Sequence, residues 1–345
     1  MIRIKHLQFI LLVWLWAIAS FSQSESHNVG VSYFEFPFLS QTNESQKQTI
    51  KGLIWYPTQA HAQQTRFGPY TVQANRDAKI KTGSYNLVVI SHGSGSSHMG
   101  HRDTAMYLAQ RDYMAVTVLH PENNYLDNSA EGKTRNWENR PKHISAALDY
   151  LLAESPFAQF INKEKIAVLG HSAGGSTALT LIGGVPDTSN IYRHCATQDD
   201  ATICDLNFFT RFLARYTGLA QPESNPLDDL EDTRVSAAVL MAPVGILFSN
   251  PNALSRVKKP LLIYRAAKDS VLKFPYHADF IHNHLKHPHQ YVSVEGAGHF
   301  SFITPFPEAI KDEIGEAALD PEGFDRKVFH EKMNDEIYGF LSANL

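Results

Sequence analysis

The chain of 345 residues has only two cysteines, and it contains no polybasic cluster, no internal repeat and no low-complexity tract. So few cysteines exclude a small scaffold stapled by several disulfides. A formal charge of −4 with no basic stripe lacks the electrostatic footprint of a nucleic-acid binder or of a protein held on anionic lipid. No nucleic-acid partner is expected. Beyond the N-terminus no apolar run reaches the roughly 20 residues that a membrane-spanning helix needs. What is present is an ordinary globular balance, 43% hydrophobic and 19% charged, enough for a large core and too apolar for disorder. The length lies somewhat past the roughly 250–300 residues at which single cores tend to divide, and one elaborated domain fits it. The expected partner is a small molecule.

Residues 1–22 stand apart. Arg3 and Lys5 precede an almost wholly apolar stretch at 7–19, and small residues follow at Ala17, Ala19, Ser20 and Ser22. A charged start, a short apolar stretch and small residues at the junction are the layout of a secretory signal peptide. The mature chain is therefore expected to span 23–345 and to be secreted or periplasmic, with no stable membrane span once the signal is cleaved. An uncleaved anchor is the rival reading, and the stretch is short for it. In an oxidising compartment Cys195 and Cys204 are placed for a disulfide that closes a short loop. Two unpaired thiols are the alternative. With only His194 beside them they fall short of a four-ligand zinc site, and no metal is expected.

Short apolar runs alternate with longer amphipathic ones. Residues 31–36 and 50–56 have period-two patterning and predict early antiparallel strands at a sheet edge, and the polar segment 58–81 reads as loop. The runs 87–91, 114–119, 165–170, 235–241 and 260–264 are nearly continuous in apolar residues, as strands covered on both faces of a parallel sheet are. Helical patterns lie between them at 103–111, 141–153, 172–182 and 275–285, and another closes the chain at 329–341. The alternation predicts an α/β fold, a mostly parallel central sheet with helices on both faces. Two stretches break the rhythm: a polar loop at 121–136, and an insertion at 184–233 that holds both cysteines, a helical pattern at 207–216 and an acidic run at 228–232. Long insertions of this kind are commonly functional, and a cap over a site is expected.

The strongest motif is Gly170-His171-Ser172-Ala173-Gly174, placed where the apolar run 165–170 meets a helical pattern. A G-x-S-x-G pattern recurs by chance, but a strand-to-helix context gives it a mechanism. A nucleophilic Ser on a tight, strained turn needs glycines at Gly170 and Gly174 because side chains there would strike neighbouring strands. The bland reading is a Ser that merely caps a helix. A Ser hydroxyl needs a base to take its proton, and among 17 histidines His299 has the right place, on a glycine-rich loop after the apolar run 291–294. The histidines at 277, 282, 284, 287 and 289 read as a solvated surface.

The base needs a carboxylate to orient it, and Asp269, on the loop after the run 260–264, fits best. A surface-turn role, with Lys268 as its ion-pair neighbour, is the alternative, and Glu295 is a weaker substitute. A tetrahedral intermediate needs two amide donors. Ala173, directly after the nucleophile, supplies one. The other is expected from His92-Gly93-Ser94-Gly95, which follows a buried strand: Ser94 donates, and Gly93 and Gly95 let the backbone turn inward. Phe300, Phe302 and Trp137 fit an apolar acyl pocket or ordinary core packing equally well.

With these residues in place, the chain resembles the α/β-hydrolase superfamily, and within it the predicted dienelactone hydrolases that are similar to platelet-activating factor acetylhydrolases. The resemblance covers most of the mature chain. It rests on VVISHGSGSS at 88–97, the helical stretch from Arg140-Pro141, GHSAGG at 170–175, the two-Cys insertion, MAP at 241–243 and GHFSF at 298–302. It implies a serine hydrolase acting on esters with short or modified acyl groups, phospholipid-derived ones included, and therefore a role in lipid catabolism. Two departures limit it. The animal acetylhydrolases place their acid where this chain has Met241, which moves the role to Asp269. Dienelactone hydrolases proper carry a Cys nucleophile where Ser172 stands. The expected reaction is ester hydrolysis by Ser172, His299 and Asp269 without a cofactor. Amide or peptide hydrolysis is the nearest alternative, although no propeller-like domain is present to filter peptides. A non-catalytic binding protein on the same fold is the other.

Overall fold

The apolar runs become the strands of one sheet. A computed structural model describes residues 27–39, 47–197, 200, 203–204 and 224–345. The signal-like segment and the helical pattern at 207–216 lie outside the described residues. The chain opens with β1 (Asn28–Leu39) and β2 (Lys47–Thr58), an antiparallel pair running from Asn28 opposite Thr58 to Leu39 opposite Lys47. A hairpin, β3 (Gln64–Phe67) with β4 (Tyr70–Gln73), and the short β5 (Asn75–Arg76) follow. This corrects the loop reading of 58–81. The turn Gly68-Pro69 carried the signal, since Gly68 takes φ +55°, a conformation that disfavours side chains.

From there strands and helices alternate: β6 (Tyr85–Ser91), α1 (Arg102–Ala109), β7 (Tyr113–Leu119), α2 (Thr134–Ala153), β8 (Ile161–His171), α3 (Ala173–Leu181), α4 (Ser189–Thr197) and β9 (Val235–Met241). The chain then runs through β10 (Leu261–Ala266), α5 (Ala278–His284), β11 (Gln290–Val294), α6 (Lys311–Ile314) and α7 (Arg326–Asn344). Helix α2 starts seven residues before Pro141, which sits inside it. A proline removes one backbone bond from a helix, and the turn before it is buried at Asn136, Asn139 and Arg140. Helix α5 starts later than the pattern from Pro275 suggested.

The strand order is β11-β10-β9-β8-β6-β7-β2-β1-β5, parallel from β11 to β7 and antiparallel where β2 joins β7 and β1. Both faces are covered. Ile144, Leu148 and Ala178 from α2 and α3 pack on one face with Val168 and Leu240, while Ala105, Leu108, Met333 and Ile337 from α1 and α7 pack on the other with Leu169 and Val239. Each such fully buried Val, Leu or Ile contributes about 1.5–3 kcal/mol, which is why the central runs show no polar alternation. The order also places the site. The chain passes from β6 to β7 on one side and returns to β8 on the other, so connections diverge at the carboxyl ends of β6 and β8. Crevices at such switch points are where α/β sheets bind ligands.

The described parts of the insertion dock at the carboxyl side of β9. Asn190 donates to the Leu247 carbonyl at 3.0 Å and the Asp187 amide does so at 2.8 Å. Cys195 and Cys204 are joined in a disulfide with Cα atoms 5.4 Å apart. Closing so short a loop stabilises the chain by roughly 2–3 kcal/mol in the loop-entropy account. No described helix is long and apolar enough to cross a membrane.

Candidate active site

Ser172 occupies the turn between β8 and α3 at φ 55° and ψ −119°, a strained conformation for a residue with a side chain, costing about 1–3 kcal/mol. The surroundings enforce it. The Ser172 amide donates to the Met241 carbonyl at 2.9 Å, and Ser176 Oγ donates to the Val244 carbonyl at 2.9 Å. A Cβ on Gly170 would lie 1.9 Å from the Gly174 carbonyl oxygen, and one on Gly174 would lie 1.9 Å from the Ser91 carbonyl oxygen. Backbone cannot yield as a side-chain tip can, so Gly174→Ala is expected to cost 3 kcal/mol or roughly that and to cut soluble yield. A thermal midpoint within about 2 °C of wild type contradicts that close approach. Around these buried glycines Ser172 stays half-exposed, and the first amides of α3, Ala173 among them, have no partner inside the helix.

The loops after β10 and β11 bring Asp269 and His299 together. Asp269 Oδ1 accepts the amides of Val271 at 2.9 Å and Leu272 at 2.7 Å, which leaves Oδ2 to face His299 Nδ1 at 2.9 Å. The Lys268 amide donates to the Ala297 carbonyl at 2.8 Å and locks the two loops to each other. With Nδ1–H given to Asp269, a neutral His299 keeps Nε2 as its acceptor. Lys268 contributes backbone and is exposed, and Glu295 is exposed and bound to Ser293 at 2.9 Å.

The join between this pair and the Ser172 turn is His171, a residue the sequence did not single out. Its Nε2–H donates to the His299 carbonyl at 2.9 Å, and the two rings are 4.8 Å apart. The loop after β6 closes the site from above. A Cβ on Gly93 would lie 3.1 Å from His171 Nδ1 and 3.4 Å from Ser172 Cβ, so the loop backbone runs against the turn. The Ser96 amide returns to the Gly93 carbonyl at 3.2 Å, and Gly95 takes φ +64°. Ser94, exposed at the tip, has its Oγ 3.4 Å from Asn123 Oδ1. Of the aromatics, Phe302 is core, its ring 6.1 Å from that of His171, Trp137 is partly buried against the core, and Phe300 stands 5.2 Å from His299.

His277 is a correction. Read as surface, it is 3% exposed, accepts the Gly245 amide at 3.2 Å and faces Asp200 Oδ2 at 3.0 Å. The same oxygen meets His194 Nε2 at 3.1 Å. Burial pushes the Asp200 carboxyl up, but its hydrogen bonds to His194 and His277 outweigh that and hold it down. Among the described residues no group of three or more His, Cys, Asp or Glu side chains is arranged to hold a metal ion.

The site is ringed by other buried histidines. Burial, the largest cause in each case, lowers His92, His120 and His171 well below the usual value and brings His101 and His143 to about 3. These rings are neutral in the fold and protonate freely only when it opens. The unfolded chain therefore binds more protons below about pH 6.5, and stability falls as pH drops from there toward 3. Each such ring costs about 1.4 kcal/mol per pH unit inside that window. The unfolding midpoint is expected to fall by several degrees between pH 6.5 and 4.5, and a flat profile there contradicts it.

Comparison with known proteins agrees with this architecture. The family model described as "Alpha/beta hydrolase family" matches residues 87–313. The chain is similar to Cutinase est1 of Thermobifida alba, 26% identical over 142 residues that cover 36% of this chain and 44% of the cutinase. It is also similar to Cutinase 2 of Thermobifida cellulosilytica, 26% identical over 140 residues that cover 36% of this chain and 50% of that protein. The matched region thus spans half or less of these curated relatives. A solved structure of a ferulic acid esterase from Streptomyces cinnamoneus superposes with a TM-score of 0.63 at 18% identity, covering 92% of this chain and 90% of its own, a likeness of fold. With the Ser172 turn, the loops that carry Asp269 and His299 and the glycine-rich loop 92–95 meeting at the switch point of this sheet, and with the family model spanning most of the chain, the protein belongs to the alpha/beta hydrolase family.

Proposed function

We propose that the protein hydrolyses a carboxylic ester through an acyl-enzyme on Ser172. The observation that carries the reading is the Asp269–His299 bond of 2.9 Å on a base loop tied by His171 to the strained Ser172 turn. Ser172 Oγ attacks the ester carbonyl carbon and gives its proton to His299 Nε2, while Asp269 fixes the tautomer and stabilises the charged ring. The Ala173 and Ser94 amides receive the oxyanion. The intermediate collapses, the alcohol leaves with the proton from His299, and a water repeats the sequence to free the acid and restore Ser172.

An ester, rather than an amide, is supported by relatives named cutinases and by a fold neighbour named an esterase. The resemblance to the group similar to platelet-activating factor acetylhydrolases supports short or phospholipid-derived acyl groups. In this reading the insertion 184–233 caps the acyl side of the site, and the enzyme works outside the cytoplasm after loss of residues 1–22. The deciding experiment combines a fluorophosphonate probe, its adduct mapped by mass spectrometry, with turnover of short-acyl p-nitrophenyl esters, phospholipids and peptide anilides. The expected result is an adduct on Ser172 and turnover of esters far above anilides. An adduct elsewhere, or preference for anilides, overturns the proposal.

A further inference from the structure

Arg140, on α2, is completely buried, and none of the described carboxylates pairs with it. Burial alone brings the guanidinium down to about 9, so it remains charged at neutral pH. A buried cation without a counter-ion costs several kcal/mol unless its donors are satisfied. Here each of its three nitrogens donates to a neutral acceptor around the site, four bonds in all. Nε donates to Thr177 Oγ1 on α3 at 3.2 Å, Nη1 to Asn123 Oδ1 at 2.5 Å, and Nη2 to Ser91 Oγ at 3.3 Å and to the His92 carbonyl.

These contacts reach the loop 92–95 three ways. Ser91 is its strand end, His92 its first residue, and Asn123 stands 3.4 Å from Ser94 Oγ while donating to Asn128 at 2.7 Å, the side chain that underlies Gly95. His92 is locked from a second direction: Nε2 accepts the His120 amide at 3.2 Å, and Nδ1–H donates to the Gly93 carbonyl at 2.7 Å. Neutral groups would satisfy the same acceptors without the cost of burying charge. The charge is therefore the feature that a purely structural role leaves unexplained.

We propose that Arg140 is the positioning residue of the oxyanion loop. Its unpaired guanidinium fixes the His92 carbonyl and the Asn123 amide so that the Ser94 amide faces Ser172, and its charge favours the anionic tetrahedral intermediate. The inference rests on the serine-esterase reading. In a dry interior a fixed charge acts over longer distances than in water, and a group organised before reaction adds no reorganisation cost during it.

The test uses variants of the full chain assayed with p-nitrophenyl acetate and an alkyl boronic acid, whose adduct on Ser172 is an anionic tetrahedron. Arg140→Lys keeps the charge, Arg140→Met removes it, and Asn123→Asp sets a carboxylate on it; because Asn123→Asp also loses the donation to Asn128, Asn128→Ala, which breaks that bond without adding charge, is its control. Arg140→Met and Asn123→Asp are expected to lower kcat about 30–100-fold with KM within about threefold, and boronate affinity falls in parallel. Arg140→Lys recovers to within about tenfold of wild type. A merely structural arginine predicts that Asn123→Asp, which adds an ion pair, folds normally and turns over no more slowly than Asn128→Ala; that result, or a loss confined to KM, overturns the proposal. If Arg140→Met fails to fold, Asn123→Asp decides. Turnover that survives Ser172→Ala instead overturns the site assignment, a separate failure.

Discussion

Replacing Ser172 with Ala is expected to lower kcat by about 10⁶-fold and to abolish fluorophosphonate labelling while leaving the fold intact. The size follows from the role proposed for the hydroxyl. In the proposed mechanism no acyl-enzyme forms without Oγ, and His299 loses its proton donor. What survives is attack by water inside a site still shaped for the intermediate, which in other serine hydrolases leaves a residual 10³–10⁴ over the uncatalysed rate or thereabouts. Stability should hardly change. The Ser172 amide keeps its 2.9 Å bond to the Met241 carbonyl, and alanine inherits the same positive φ of 55° with the same strain. The variant therefore separates chemistry from folding. Measured with a short-acyl p-nitrophenyl ester alongside thermal unfolding, residual turnover above about 1% of wild type would remove Ser172 from the nucleophile's place.

The sequence made the sheet legible because its central strands are buried on both faces. Val88, Val168 and Val239 have no solvent side to mark with a polar residue, so their strands read as continuous apolar runs. The turn at Ser172 was legible for a related reason, since the backbone packing at Gly170 and Gly174 admits no Cβ and the glycines announce it. Less visible were contacts that depend on three-dimensional return. His277 is separated by 77 residues from the Asp200 it faces, and on α5 its neighbours at 282 and 284 gave it the look of a wet surface. Arg140 lies 48 residues from the His92 carbonyl it holds, and a lone arginine in a helical pattern normally reads as solvated. The hairpin at 64–73 was missed on composition, because its exposed strands carry polar side chains on most positions. Local periodicity reports burial by the chain's nearest layers, while polar networks are assembled from loops that no period connects.

Asp269→Asn is expected to lower kcat by about 10³–10⁴-fold with little change in KM, and the reason lies in the two oxygens of the carboxylate. Oδ1 accepts the Val271 and Leu272 amides at 2.9 and 2.7 Å, and Oδ2 accepts from His299 Nδ1 at 2.9 Å. An asparagine can accept both backbone amides only with its carbonyl oxygen in the Oδ1 place. Its NH₂ then stands where Oδ2 was and donates toward His299 Nδ1. That nitrogen becomes the acceptor, the ring proton moves to Nε2, and the atom that should take the Ser172 proton is already protonated. The alternative flip keeps the His299 bond but turns the NH₂ against two amide donors, leaving both unsatisfied at about 1–3 kcal/mol each. The first arrangement wins, and it holds the inactive tautomer. Glu295→Gln supplies the contrast: that side chain is exposed and bonds Ser293 at 2.9 Å, so activity should stay within about twofold. Near-normal turnover in Asp269→Asn, together with a large loss in Glu295→Gln, would transfer the orienting role from one residue to the other.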